Sequence, residues 1–377
     1  MINIFQPSVG VEELELIKDI FKSNWIGLGS KTNELEEQLS SKLDVSSENV
    51  TLTNSCSEAI FQVFEYIDFI IGEEVILPSM SFLGAGNAIL EVGATPVFCE
   101  VDERTLNPSV EDIESKISPK TKAVFITHYG GLPCDIDGIV KLCDKYNLIL
   151  IEDSAGSPFS KYKGKNVGIF GDFGVWSFDP LKVMTMGDGG LIYSKSRYDM
   201  IKLREQRYLG LKSSTGFSNK TDKKWWEFEI STHGRRSIVN DLSSSLGLEQ
   251  LKKVDKFIER RKEISCFYDE NISKLSWLKI PPKFPDYVES SYYFYWIQVE
   301  KNRDELANYL KENEIYTTYR YYPLHLLDYY KEFKTDLPIT KKVMMNTLLL
   351  PIHQSLTDDD IAKVVKTIKK FGKENEL

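Results

Sequence analysis

Apolar residues recur at helical spacing near the start of the chain, at Val11, Leu14, Ile17, Ile20 and Phe21, and the pattern returns from Asn33 to Leu43. The first stretch, Ser8 to Lys22, is expected to lie against the body of the fold. The period then changes. Short apolar runs at Val50 to Leu52, Glu74 to Leu77, Thr95 to Cys99, Ala123 to Thr127 and Leu148 to Ile151 read as buried strands. Helical segments separate them, from Ser57, after Ser81, near Val110 to Ile117 and at Ile136 to Tyr146. This alternation predicts an α/β fold with a mainly parallel sheet covered by helices on both faces. In such sheets ligands collect at the carboxyl ends of the strands. The polar segments Thr53 to Ser57, Pro78 to Phe82, His128 to Gly131 and Asp153 to Gly156 fall there.

Two more apolar segments, Gly174 to Trp176 and Leu191 to Tyr193, flank the run Ser177-Phe178-Asp179-Pro180-Leu181-Lys182 and the turn Gly187-Asp188-Gly189-Gly190. A long amphipathic helix, Asn240 to Phe267, leads to a strand near Tyr292 to Val299 and a closing helix at Asp358 to Phe371. At 377 residues the chain is long enough for two domains, and we divide it into a large α/β domain at 1–250, with its N-terminal helical segment, and a smaller α+β domain at 251–377. The stretch Leu211 to Lys224, rich in Ser, Thr, Gly and Lys, reads as a mobile loop. Beyond it, Trp225-Trp226 is expected either to stack on a base or to pack.

Charge narrows the partners. A net charge of −9, without a long basic run, argues against nucleic acid. The five cysteines are scattered without a CxxC pair, and the four histidines form no HExxH-like cluster, so a reduced, cytoplasmic setting and no metal centre are expected. No run of about 20 apolar residues suggests a membrane span.

Lys182 sits on a tight loop between two buried segments. An amine that loses hydration there is expected to have a pKa below about 10.4 and to act as a nucleophile toward a carbonyl, which is Schiff-base chemistry. Asp153 ends an apolar strand 29 residues earlier and is expected to meet Lys182 at the same sheet edge. Such a carboxylate suits the ring nitrogen of pyridoxal 5'-phosphate (PLP), although strand-end acids more often serve as caps. Ser55, Cys56 and Ser57 open a helix after a strand, where N–H groups and hydroxyls can hold a phosphate or simply cap. Phe82 follows another strand end and can cover an aromatic cofactor or join the core.

In this order, Glu152-Asp153, Gly171-Asp172, Ser177 to Lys182 and Gly187 to Gly190 resemble the DegT/StrS sugar aminotransferases, which are fold-type I PLP enzymes. The likeness extends to Ser23 to Gly29, Gly93 to Phe98, His128 to Gly131, Tyr322 to His325 and Leu350 to His353. It implies a seven-stranded type of sheet between helices, with Lys182 forming the internal aldimine and shuttling the substrate proton, and Asp153 binding the pyridinium nitrogen. Ser177, with Cys56 and Ser57, is implied to hold the phosphate and Phe82 to stack on the ring. His325 and the turn from Trp25 through Gly27 to Gly29 would lie near the substrate. A homodimer with shared active sites is also implied.

Three positions depart from the pattern. Gly156 stands where the family usually places Gln or His against the cofactor's ring hydroxyl, so another group or water must fill that role. Cys56-Ser57 replaces Gly-Thr. Ile238 falls where a partner subunit usually offers Arg or Asn to the phosphate, and Arg236 or Asn240 is a possible substitute. The leading reading is transfer of an amino group from glutamate to a keto group, with a nucleotide-linked keto-deoxysugar as the expected acceptor. A small phosphorylated ketone as acceptor, a PLP-dependent sugar dehydratase and a silent PLP-binding homologue are the alternatives, with Lys182 arguing against the dehydratase and Lys182 together with Asp153 against the silent homologue.

Overall fold

The computed structural model describes residues 1–212 and 226–376. Its centre is a seven-stranded sheet in the spatial order 50–53, 190–194, 173–177, 149–153, 121–127, 74–78, 95–99. Only Gly190–Ser194 runs against its two neighbours. The 12-residue connection from Ser177 to Gly190 carries no crossover helix, so the chain turns straight back. The strand alternation assigns the two faces. Val75, Leu77, Phe125 and Ile151 pack with the helices Cys56–Ile67 and Leu83–Glu91, whereas Ile76, Val124, Ile126 and Leu150 pack under Val110–Lys116 and Ile136–Tyr146.

The long helix, Asp241–Ile272, begins one residue after Asn240, whose Oδ1 accepts the Ser243 N–H at 2.9 Å and so caps it. Its first half contributes Leu248, Leu251, Val254 and Phe257 to the main core. Its second half contributes Ile264, Tyr268 and Ile272 to another core, shared with Ile2, the strands Tyr295–Val299 and Thr347–Leu350, and the helix Asp358–Glu374. The strand expected from Tyr292 starts only at Tyr295, because the residues before it are engaged elsewhere. Phe294 N–H donates to Gly130 O at 3.0 Å, Ser290 Oγ to Gly131 O at 3.0 Å, and Ser291 Oγ to Gly156 O at 2.9 Å. This strap fastens the C-terminal part onto the carboxyl ends of the strands.

The first helix, Val11–Ser23, does pack on Asp241–Ile272, but not through the apolar stripe that its spacing suggested. Val11, Leu14 and Phe21 are exposed, and Ile20 alone of the five anticipated apolar residues is buried. The contact joins an apolar side chain, half-buried Leu16 on the main core, to a polar anchor. Buried Glu13 accepts from Gln250 Nε2 at 2.7 Å and pairs with Lys253 at 2.8 Å, so this face is held by a carboxylate. The anticipated loop Leu211 to Lys224 and Trp225 fall largely at 213–225, outside the described residues. Trp226 is exposed.

The Trp25 to Gly29 turn depends on Asp241. The buried Asp241 carboxylate accepts Thr32 N–H at 3.0 Å, Thr32 Oγ1 at 2.8 Å and Lys31 N–H at 3.3 Å, capping the helix Ser30–Leu43 from another element, because Gly29 has no side chain to do so. Asp241→Ala is expected to lower stability by about 2–3 kcal/mol through these stranded donors. Chemical denaturation checks this, and an unchanged midpoint would refute the capping role.

Candidate active site

Asp153 ends its strand between Thr121–Thr127 and Phe173–Ser177, and only 3% of it is exposed. Its Oδ1 accepts the Ala155 N–H at 2.9 Å. Burial pushes the carboxyl above its ordinary pKa, against that N–H and the positive charge of Lys182. Glu152, one residue earlier, points to the opposite face. Its two oxygens accept the N–H groups of Gly168, Phe170 and Gly171 at 2.8, 2.6 and 2.6 Å, and Oε2 lies 3.1 Å from His128 Nε2. Cys134 N–H donates to His128 Nδ1 at 3.1 Å, which leaves Nε2 as the proton donor to Glu152. The sequence reading assigned Glu152 no role, although an acid ending an apolar strand was the available signal.

Lys182 closes a turn in which its N–H donates to Asp179 O at 3.0 Å and Leu181 N–H donates to Asp179 Oδ1 at 2.9 Å. Its Nζ lies 4.8 Å from the centre of the Tyr293 ring. Burial acts to pull the amine down. The phenols of Tyr293 and Tyr321, the Asp153 carboxyl and the Cys56 thiol outweigh it, and the pKa of the amine is raised. The expectation of a depressed amine is therefore corrected: the pocket that strips water from Lys182 also lines it with groups that form anions.

The helix Cys56–Ile67 starts directly above the reversed strand. Ser55 caps it, its Oγ accepting Glu58 N–H at 3.1 Å, while the N–H groups of Cys56 and Ser57 have no acceptor within the helix. Gly190 pairs with Thr53 on one side and Ser177 on the other, which brings Ser177 beside this helix start. A Cβ on Gly190 would stand 2.7 Å from Cys56 N and 2.5 Å from Ser55 O, so glycine alone permits that approach. Burial, with the negative charge of Asp153, pushes the Cys56 thiol well up, and it stays a neutral wall of the pocket. A hydroxyl pair and unpaired helical N–H groups, next to an amine and a buried carboxyl, fit a ligand that carries a phosphate, a carbonyl and a basic ring nitrogen.

The other anticipated residues divide into two groups. Phe82 is half exposed and meets the Tyr321 ring edge-on at 5.9 Å, which keeps it at the pocket. Gly156 lies against Tyr293, and a Cβ there would come within 2.8 Å of that ring. His325 is enclosed, its Nδ1 2.6 Å from Ser79 Oγ, and burial lowers its pKa to about 4, so it is neutral at pH 7. Trp25 and Asn240 are exposed. Gly27 O accepts the Asp241 N–H at 2.9 Å, which ties their turn to the start of the long helix. Arg236 stacks on Tyr208 at 5.2 Å. Tyr293 and Tyr321 were not anticipated, because nothing local marks two aromatic residues so far from Lys182 in sequence.

This arrangement gathers a buried amine, a buried carboxyl and an open helix start at one edge of an α/β sheet. The chain belongs to the DegT/DnrJ/EryC1/StrS aminotransferase family, whose model matches residues 7–369. It is 42% identical over 372 residues to the dTDP-4-dehydro-2,3,6-trideoxy-D-glucose 4-aminotransferase of Saccharopolyspora spinosa, covering 98% of this chain and 96% of that protein. GDP-perosamine synthase of Escherichia coli O157:H7 is 32% identical, with 98% of each chain covered. Among solved structures, the aminotransferase TlmJ from Streptoalloteichus hindustanus is 39% identical and superimposes with a TM-score of 0.95 over the whole of both chains. The putative sugar aminotransferase Spr1654 from Streptococcus pneumoniae, solved in PLP and PMP forms, is 27% identical with TM-scores of 0.90 and 0.92, covering 99% of this chain and 99% and 100% of those. The chain is thus an aminotransferase of the fold-type I class, and its cofactor is pyridoxal phosphate.

Removing the Glu152 carboxylate leaves three buried N–H donors and His128 without their acceptor. Glu152→Ala is expected to lose about 3–5 kcal/mol of stability, read as a lowered unfolding midpoint in urea. A change below about 1 kcal/mol would refute the bracing role.

Proposed function

We propose that the protein transfers the amino group of glutamate to a keto group on a nucleotide-linked deoxysugar. The observation that carries this is the convergence of Lys182, Asp153 and the Ser55 to Ser57 helix start at one sheet edge. The acceptor class is supported by the names of the relatives in Saccharopolyspora spinosa and Escherichia coli.

Bound PLP supplies the electron sink for the pair left when a substrate carbon loses its proton. In this reading Lys182 Nζ would hold the cofactor through its aldehyde carbon and would take up and return the proton at the substrate carbon. Asp153 keeps the ring nitrogen protonated. Ser177, Ser55, Cys56 and Ser57 receive the phosphate, Phe82 covers the ring, and Gly156 leaves room beside it. Neutral His325 orders the substrate side through Ser79. We further propose a homodimer in which the Trp25 to Gly29 turn and Asn240 of one subunit complete the site of the other. The outward apolar residues Val11, Leu14, Phe21, Trp25 and Ile26 support that assembly. Residues 1–250 are read as the cofactor-holding domain and 251–377 as the smaller one. All five cysteines are free, which supports a reduced, cytoplasmic setting.

Glutamate should convert the holoenzyme's cofactor to the pyridoxamine form, and a nucleotide-linked ketosugar should return it. Lys182→Ala should lose the borohydride-trapped adduct and at least about a thousandfold of turnover, with the fold intact. Failure of every amino acid to convert the cofactor would overturn the reading. A second prediction follows from the raised amine. Its neutral fraction grows about tenfold per pH unit below its pKa, so capture of PLP by cofactor-free protein should accelerate from about pH 7 to about pH 9 without levelling. Stopped-flow absorption measures this, and a plateau near neutrality would contradict it.

A further inference from the structure

The residues around Lys182 account for three of the four polar parts of the cofactor: Lys182 for the aldehyde, Asp153 for the ring nitrogen and the helix start for the phosphate. The fourth is the ring hydroxyl. It is attached next to the aldehyde-bearing carbon, so its partner must stand beside Lys182. Gly156 offers no side chain there.

Tyr293 occupies that place. It is fully buried, and its hydroxyl has no hydrogen-bond partner among the described residues. Its ring fills the space in front of Gly156 and lies 4.8 Å from Lys182 Nζ. The position is fixed from three sides. Ser291 Oγ is tied to Gly156 O at 2.9 Å, Phe294 N–H to Gly130 O at 3.0 Å, and Phe5 stacks on the ring at 5.4 Å. A phenol held this rigidly without a partner is an unfavourable state unless a ligand supplies one.

Resting on the reading of Lys182 and Asp153 above, we propose that Tyr293 donates its phenolic hydrogen to the ring hydroxyl of bound PLP and so positions the cofactor and tunes the Lys182 nitrogen. The donated hydrogen bond draws negative charge on that oxygen away from the nitrogen. Without it, the charge concentrates beside Lys182 and the nitrogen keeps its proton to higher pH.

The test is a spectral pH titration of the holoenzyme and its Tyr293→Phe variant, which keeps the ring against Phe5 and Phe294. The midpoint of the absorption change should rise by about one unit in the variant, while borohydride still fixes the cofactor on Lys182. A midpoint within about 0.2 units of the parent would overturn the proposal. Tyr293→Ala combined with Gly156→Gln offers a second donor in the vacated space and should bring the midpoint back toward the parent. A midpoint as high as that of Tyr293→Phe would count against the proposal. Absence of the Lys182 adduct in the parent protein would instead overturn the reading beneath it.

Discussion

The geometry of the site depends on one buried carboxylate, Glu152, whose oxygens are occupied by backbone N–H groups and His128. Glu152 accepts three backbone N–H groups from the loop at 168–171 and faces His128 Nε2, so it binds the chain before the 173–177 strand to the chain after the 121–127 strand. Strand alternation then requires Asp153 to project from the other face, toward Lys182. A slip of one residue would exchange the two acids, stranding three donors and aiming the bracing carboxylate toward Lys182. Satisfying the backbone and turning Asp153 toward Lys182 are therefore one constraint.

A second fixed relation comes from the reversed strand. Gly190 lies between Thr53 and Ser177, so a single register sets the helix start at Ser55 to Ser57 and the Ser177 hydroxyl on one line. The loop that carries Lys182 is closed at its base by Phe178, which exchanges backbone hydrogen bonds with Met186 and Gly189 at 2.9 Å each. The amine, the carboxyl, the Ser177 hydroxyl and the helix start at Ser55 to Ser57 thus hang from adjacent strands.

How legible this was varied with the range of the interaction. The alternation of strands and helices was readable because each buried strand shows its apolar run locally; Asp153 and the Ser55 to Ser57 start stand out as candidates at the ends of such runs, and Lys182 as one on the turn between two of them. Three features were not. The stripe at Val11, Leu14 and Phe21 suggested a buried face, yet the helix is seated by Glu13 on Gln250 and Lys253, a match visible only once two distant segments meet. The pKa of Lys182 was misjudged because burial is legible from flanking apolar residues, whereas the phenols that oppose it arrive from the C-terminal part. The strand start at Tyr292 was misplaced by three residues because the strap spends its donors on Gly130, Gly131 and Gly156.

That strap also bears on how the glycine at 156 is to be understood. Seen alone, it removes a side chain from the cofactor's side. In the fold, a Cβ at 156 and the ring of Tyr293 cannot both be present at 2.8 Å, so the pocket accommodates one or the other. A side chain on the 153–156 turn would move with the sheet, whereas Tyr293 moves with the C-terminal part that carries the strap. Placing the contact on Tyr293 therefore makes the surroundings of Lys182 depend on the docking of the two parts against each other. The hydrogen bonds from Ser290, Ser291 and Phe294 that fasten the strap are what keep that dependence from becoming slack.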